Sequence, residues 1–111
     1  MSYLPDKGDI MWLEFNPQAG KEQAGHRPCL VLSPKLYNQF GLCVVCPIIS
    51  VTKGYRWEVA LDENLDTDGN VLSDQVKNLD WKTRNAIFKE KADSHLVDMV
   101  LERINVLLFS G

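Results

Sequence analysis

The sequence predicts a mainly β fold: a small, strongly bent antiparallel barrel followed by one packing helix. Short apolar runs separated by turn residues recur as far as residue 89, and the apolar spacing changes to three and four residues after Asp93. With 111 residues and 45% hydrophobic composition, the chain is long enough for one core. We expect a single domain spanning residues 1–111.

The first three strands are predicted from their apolar patterns. Residues 10–15 place Met11, Leu13 and Phe15 on one face, between a Gly-Asp turn and an Asn-Pro turn. Residues 29–33 and 42–49 are continuous apolar runs, which is typical of central strands. A long loop over residues 18–25 separates the first two.

Three later segments carry weaker strand patterns. Residues 55–61 alternate, and residues 71–79 and 86–89 are shorter or more polar. The segment 62–70 holds four acidic residues and a glycine, so we expect a solvated turn there. The count of predicted strands is therefore five to seven.

The C-terminal segment is predicted to form one amphipathic helix that ends near Gly111. Asp93 or Ser94 supplies the N-cap, because a side-chain oxygen there accepts a free backbone N–H of the first turn. The apolar positions at helical spacing are Leu96, Val97, Val100, Leu101, Ile104, Leu107 and Leu108.

Charge and targeting signals exclude several classes of protein. The formal net charge is −3, so no overall basic field collects phosphate and a polyanion must meet a local patch. The N-terminus lacks the apolar run of a signal peptide, and no stretch approaches the ~20 apolar residues of a membrane span. We expect a cytoplasmic protein.

The three cysteines do not predict a disulfide framework or a metal site. Their number is odd, and each lies in an apolar segment. Cys43 and Cys46 are three residues apart in a predicted strand, so they point to opposite faces. We interpret Cys29, Cys43 and Cys46 as buried apolar residues.

The stretch EQAGHRP, residues 22–28, concentrates reactive side chains before an apolar strand. Pro28 restricts Arg27 to extended backbone, so its guanidinium projects from a rigid strand start as a donor fork for phosphate oxygens. His26 and Glu22 add a group that titrates near neutrality and a carboxylate. An ordinary ion pair of Arg27 with Glu22 is the structural alternative.

Two further segments combine cations with aromatic rings. Residues 75–91 hold five basic and two acidic side chains, a net charge of +3, with Trp81 among them. Residues 53–57 read KGYRW. Such mixtures suit single-stranded nucleic acid, whose bases stack on rings while cations hold phosphates. The alternatives are a solvated edge strand guarded by lysines and a core role for Tyr55 and Trp57.

The acidic residues do not suggest a metal-dependent nuclease. They are scattered, and no pair is framed like a two-metal site, so we expect no metal and no cofactor. RNA is then favoured over DNA, because an RNA strand carries its own nucleophile in the 2′-hydroxyl.

The chain closely resembles the MazF/PemK-like family of bacterial toxins, nearly from end to end. The residues that carry the resemblance are PDKGDI at 5–10, EQAGHRP at 22–28, VLSP at 31–34, YN at 37–38, KGY at 53–55, SDQVK at 73–77 and INVL at 104–107.

The resemblance implies a small SH3-like antiparallel β-barrel of the PemK/CcdB-like toxin type, as a homodimer. It implies ribosome-independent, sequence-specific cleavage of single-stranded mRNA to a 2′,3′-cyclic phosphate and a 5′-hydroxyl, which inhibits translation and growth. It also implies a cognate antitoxin whose disordered acidic tail blocks the RNA groove, which fits a locally basic groove on an acidic protein.

The site residues follow from the resemblance and the motifs together. We expect Arg27 to stabilise the transition state, with Glu22, His26 and Ser50 as the other catalytic residues. We expect RNA contacts from Lys53, Tyr55, Arg56, Asn38, Lys77, Trp81, Lys82 and Arg84.

One position departs from the family pattern. The family places a threonine partner of the arginine in a Pro-x-Thr motif, and here Ile49 occupies that place after Pro47. Either Ser50 supplies the hydroxyl through a local shift, or Glu22 and His26 carry more of the catalysis, or cleavage is slow. Two alternatives remain open: a catalytically impaired RNA- and antitoxin-binding homologue, and a gyrase-poison-like toxin.

Overall fold

The computed structural model describes residues 2–17 and 19–110, which form seven strands and two helices. The predicted mainly β fold with a C-terminal helix is confirmed. The elements are β1 (Asp9–Glu14), β2 (His26–Val31), α1 (Lys35–Asn38), β3 (Leu42–Ile49), β4 (Glu58–Ala60), β5 (Asn70–Leu72), β6 (Lys77–Asp80), β7 (Ile87–Lys91) and α2 (Ser94–Phe109).

All strand pairs are antiparallel, and the sheet runs in the order β4-β5-β3-β2-β1-β7 with β6 added beside β3. Strand β3 pairs with β6 through residues 42–45, with β2 through residues 45–47 and with β5 through residues 48–49. One strand with three partners must bend. Within the described ranges no pairing joins β7 to β4, so the bent sheet is not a ring closed by hydrogen bonds.

The bent sheet separates two apolar clusters. One contains Ile10, Leu30, Cys46 and Ile48 with the first turns of α2, and the other contains Met11, Leu13, Cys29, Val31, Cys43 and Val45. Cys43 and Cys46 therefore face different clusters, as the sequence predicts. All three thiols are free and buried, and burial raises the pKa of both Cys43 and Cys46 to about 12.

Helix α2 begins and packs as predicted. The Asp93 carboxylate accepts a hydrogen bond from the backbone N–H of Leu96 at 3.2 Å, which makes Asp93 the N-cap. Leu96, Val97 and Val100 are buried, whereas Leu108 and Phe109 are exposed. In the part of the chain that the structure describes, neither helix is long and apolar enough to cross a membrane.

The weaker strand predictions need correction. Of the predicted strand 55–61 only Glu58–Ala60 is formed, because the Glu58 carboxylate accepts the backbone N–H groups of Lys53 and Gly54 and closes a turn. The predicted strand 71–79 is two strands separated by a turn, in which the Ser73 hydroxyl donates to the Trp57 carbonyl at 2.5 Å. The predicted strand 86–89 is β7, and helix α1 was not predicted.

Gly69 allows the chain before β5 to pack closely against the C-terminal end of β3. Its φ is +114°, and a Cβ placed there lies 1.9 Å from the carbonyl oxygen of Ile49. Only a residue without a side chain therefore allows β5 to approach Ile49 so closely.

We expect Gly69→Ala to lower the free energy of unfolding by about 3 kcal/mol, because left-handed strain adds to a backbone clash. Urea denaturation measures the loss. Gly41→Ala is the matched control: its φ is +111° but nothing lies within 4 Å, so strain alone costs about 1 kcal/mol. Equal losses in the two variants would show that the close approach to Ile49 is absent.

Candidate active site

Arg27 lies near the start of β2 and is half-buried. Its Nε donates a hydrogen bond to the carbonyl of Ala24 at 2.8 Å, which fixes the direction of the side chain. Among residues 2–17 and 19–110, Arg27 forms no salt bridge, so the predicted alternative of an ion pair with Glu22 is not realised. Within residues 2–17 and 19–110 the two terminal nitrogens have no hydrogen-bond partner, and such nitrogens can bind an anion.

The pairing of β2 with β3 ends two residues before Arg27. Cys29 lies opposite Pro47, and Ile48 and Ile49 pair with β5. Continued by two residues, the β2–β3 register would set Arg27 opposite Ile49, and residues opposite each other in an antiparallel pair project to the same face. We infer from this register that the guanidinium lies on the face of the sheet that Ile49 occupies.

A cavity of about 470 Å³, the Ile49 cavity, opens at the C-terminal end of β3. Two lysines supply cations, and Tyr55, with 57% exposure, supplies a ring that a base can stack on. The lining residues are Lys21, Gln23, Ile49, Lys53, Tyr55, Leu72, Asp74 and Gln75.

Two contacts hold the loop that carries Glu22 against residues 75–77. The Glu22 carboxylate lies 3.0 Å from Nζ of Lys77, and the backbone N–H of Gln23 donates to Oε1 of Gln75 at 3.0 Å. The hydrogen bond from Lys77, together with one from the Ala19 N–H, holds the pKa of Glu22 below its ordinary value. Glu22 is therefore ionised at neutral pH, where it can accept a proton but not donate one.

His26 does not line the Ile49 cavity, and its action with Arg27 on one phosphodiester stays a prediction. Neighbouring residues of a strand face opposite sides. The exposed His26 ring stacks on Trp12, with centroids 5.6 Å apart and planes at 15°. His26 lines a second cavity of about 940 Å³, the His26 cavity. The other lining residues are Ser2, Tyr3, Glu14, Trp81, Lys82, Asn85, Ala86 and Ile87.

Two hydroxyl groups follow Ile49 along the chain. Ser50 is exposed in the bend that follows β3, and its catalytic role stays a prediction. The Thr52 hydroxyl accepts a hydrogen bond from Nδ2 of Asn70 at 2.8 Å, which leaves its O–H able to donate. Ile49 itself is 5% exposed and presents only hydrocarbon to the cavity.

The cations of residues 75–91 do not form the continuous basic groove that the sequence suggests. Lys77 lies on β6, Lys82 and Arg84 on the turn that follows it, and Lys89 and Lys91 on β7, and the two strands pair with different neighbours. Most also have partners that neutralise or occupy them. Lys77 pairs with Glu22 at 3.0 Å, Lys89 with Glu90 at 3.5 Å and Lys91 with Asp9 at 3.1 Å, while Arg84 Nη1 donates to the carbonyls of Glu14 and Asn16 at 3.0 Å each.

Two predicted RNA contacts are structural residues instead. Asn38 is fully buried, and its amide donates to the carbonyls of Pro5 and Ser33 at 2.9 and 2.8 Å. Trp81 is 7% exposed, and its Nε1 donates to the carbonyl of Asn38 at 2.7 Å. RNA cannot reach the fully buried Asn38 side chain in this structure, whereas Trp81 still contributes a small exposed part of its ring to the wall of the His26 cavity.

Four of the predicted RNA contacts, Lys53, Tyr55, Arg56 and Lys82, are accessible. Lys53 and Tyr55 line the Ile49 cavity, and Lys82 lines the His26 cavity with its Nζ 5.5 Å from the Trp81 ring. Arg56 is exposed, with its guanidinium 5.2 Å from the Trp57 ring.

Four polar residues of the Ile49 cavity were not predicted. Lys21 and Gln23 lie on the loop that follows β1, and Asp74 and Gln75 on the turn between β5 and β6. The signal for them was the presence of Gln23, Asp74 and Gln75 inside motifs that carry the family resemblance. Over residues 2–17 and 19–110, no three His, Cys, Asp or Glu side chains are grouped so that they hold a metal ion.

Comparison with known proteins gives consistent results. A family model described as "PemK-like, MazF-like toxin of type II toxin-antitoxin system" matches residues 6–108. The chain is 43% identical over 107 residues to the endoribonuclease toxin MazF of Escherichia coli K12, which covers 96% of each chain.

Solved structures agree in fold and sequence. The crystal structure of MazF from Deinococcus radiodurans is 44% identical with a TM-score of 0.93, covering 96% of this chain and 98% of that one. A MazE–MazF structure from the same organism is 43% identical with a TM-score of 0.88, covering 99% and 100%. This chain therefore belongs to the PemK-like, MazF-like family of type II toxin–antitoxin toxins.

Proposed function

We propose that this chain is a toxin endoribonuclease that cuts single-stranded mRNA in the cytoplasm and thereby inhibits translation and growth. The observation that carries the proposal is the Arg27 side chain, whose Nε is held by the Ala24 carbonyl and for which no salt bridge is found in residues 2–17 and 19–110; the register of β2 supports its place on the face of Ile49. The relatives named endoribonuclease toxins support the reaction class.

The proposed reaction uses the RNA's own 2′-hydroxyl. Its oxygen attacks the adjacent phosphorus, the bond to the 5′ oxygen breaks, and the products are a 2′,3′-cyclic phosphate and a 5′-hydroxyl. The ionised Glu22 accepts the 2′ proton, and the leaving oxygen takes a proton from water. Arg27 donates hydrogen bonds to the phosphoryl oxygens as negative charge accumulates there. The reaction needs no metal ion.

Substrate contacts follow the edge of the Ile49 cavity. Lys21 and Lys53 hold flanking phosphates, Tyr55 stacks on a base, and Arg56 adds a cation at the rim. Bases splayed against such a surface are read by groups in the cavity wall, which gives cleavage at short sequences. Asp74 and Gln75 are the polar wall groups in this role.

We further propose that the toxin is a homodimer controlled by an antitoxin. Relatives were solved as MazE–MazF complexes. An antitoxin with a disordered acidic tail competes with RNA for Lys21, Lys53 and Arg27, because both ligands are polyanions. The exposed apolar end of α2, with Leu107, Leu108 and Phe109, supports burial against a second copy.

The second candidate is a catalytically impaired homologue that keeps RNA and antitoxin binding. The observation in its favour is Ile49, which presents no hydroxyl to the position opposite Arg27. Cleavage assays on the natural chain separate the two candidates.

We expect Arg27→Ala to lower cleavage of a long unstructured RNA by about 100- to 1,000-fold, because the charge stabilisation is lost. The assay is gel electrophoresis of RNA with and without EDTA, and wild-type cuts persist in EDTA. Lys35→Ala, at the exposed start of α1 and outside both cavities, is the matched control and changes the rate by about twofold or less. Wild-type cutting by Arg27→Ala removes the assigned role.

We expect Ile49→Thr to raise the cleavage rate by about tenfold or more, because a hydroxyl opposite Arg27 adds a hydrogen bond to the charged phosphoryl group. Ile49→Val is the control, since valine has the shape of threonine without its hydroxyl. Single-turnover rates on one short RNA compare the three proteins. An equal gain in both variants would mean that cavity size, not the hydroxyl, limits the reaction.

We expect Lys77→Met to move the acidic limb of the rate–pH profile to higher pH. Lys77 lowers the pKa of Glu22, so its removal raises that pKa and Glu22 is protonated at higher pH as the medium is acidified. Lys89→Met, which loses a contact to Glu90 instead, leaves the limb in place. An unmoved limb in Lys77→Met excludes Glu22 as the base.

A further inference from the structure

The His26 cavity takes no part in the proposed chemistry, yet its wall is built from groups that recognise bases. Its volume is about 940 Å³, and Tyr3, Trp81 and Ala86 of its wall also pack against the cluster that contains Leu13 and Cys29. Its wall combines a carboxylate, an ammonium, an amide and an imidazole from Glu14, Lys82, Asn85 and His26. Four different polar groups around one concave surface give hydrogen bonding that distinguishes ligands.

His26 lines this cavity and stacks on Trp12, which does not line it. We infer that the second face of the imidazole is turned to the open space. A planar base that enters the cavity continues the stack, and aromatic stacking of this kind binds single-stranded RNA bases.

Glu14 is held rigidly with acceptors available. Its backbone N–H donates to the Arg84 carbonyl at 2.9 Å, and its own carbonyl accepts from Arg84 Nη1 at 3.0 Å. Oε1 accepts the Asn16 N–H at 3.1 Å, which fixes the carboxylate direction. Each carboxylate oxygen has two lone pairs, so both oxygens retain acceptor capacity toward a ligand.

A carboxylate with two available oxygens selects one base. Guanine presents two adjacent donors on its Watson–Crick edge, N1–H and the exocyclic N2–H, which match the two oxygens. Adenine, cytosine and uracil each present fewer adjacent donors, and their acceptors repel a carboxylate. Lys82 lies at the same cavity and supplies a cation for a neighbouring phosphate.

We propose that the His26 cavity is a guanine-binding subsite for one nucleotide of the bound RNA strand. The base stacks on His26, Glu14 accepts its two donors, and Lys82 holds the adjoining phosphate. The proposal rests on RNA being the substrate. It makes Glu14 and His26 residues of sequence recognition, not of proton transfer.

The test measures binding, not cleavage. Short 2′-O-methyl oligouridylates with one central guanosine or inosine cannot be cleaved, and inosine lacks the N2 amino group. Fluorescence anisotropy with the wild-type protein gives binding of the guanosine strand that is about fivefold tighter or more, the size expected of a bidentate base contact. Glu14→Gln reduces this ratio to near one, because an amide offers a single acceptor.

Two further variants separate recognition from other roles. His26→Phe keeps the stack and the guanosine preference, whereas His26→Ala weakens binding of both strands. Glu63→Gln, in the turn between β4 and β5, is the matched carboxylate control and retains the wild-type ratio. Equal binding of guanosine and inosine strands by the wild-type protein, no binding of either, or an unchanged ratio in Glu14→Gln overturns the proposal.

Failure of this inference is distinguishable from failure of the proposed function. Cleavage of unmodified RNA with no guanosine preference in binding leaves the nuclease intact and removes the subsite. A guanosine preference without cleavage by the wild-type protein keeps the subsite and favours the impaired RNA-binding homologue.

Discussion

The candidate site depends on the antiparallel register between β2 and β3. Backbone pairing of Cys29 with Pro47 carries Arg27 toward the position opposite Ile49, and the Ala24 carbonyl then holds the guanidinium in place. A slip of one residue would turn Arg27 to the side of the sheet where His26 now lies. The close approach of Gly69 to the Ile49 carbonyl ties the end of β3 to β5 at the same point.

Because side chains alternate along β2, two neighbouring residues have different proposed roles. We infer that Arg27 serves the phosphate chemistry, and His26 lines the cavity proposed for base recognition. In the sequence the two side chains appear as one cluster, which suggests a shared role. The pleat of the strand separates them, because its side chains alternate between faces at every residue.

Strands β1 to β3 and helix α2 were predictable, since each buries a regular apolar face and α2 begins at the Asp93 cap. The strand predicted at residues 55–61 was not, because Glu58 closes a turn with backbone groups that no apolar pattern reveals. Burial of Asn38 and pairing of Lys77 with Glu22 depend on contacts between distant segments. The motifs therefore located the site, while tertiary contacts decided which polar residues remain accessible.

The most direct test of the central claim is an NMR titration of the protein with 2′-O-methyl RNA, observing Nε–Hε of Arg27 and the δ1 methyl group of Ile49. If Arg27 and Ile49 share one RNA-binding face, both resonances shift and saturate together as RNA is added. If RNA binds fully while both resonances stay in place, the phosphate-binding site lies elsewhere on the protein.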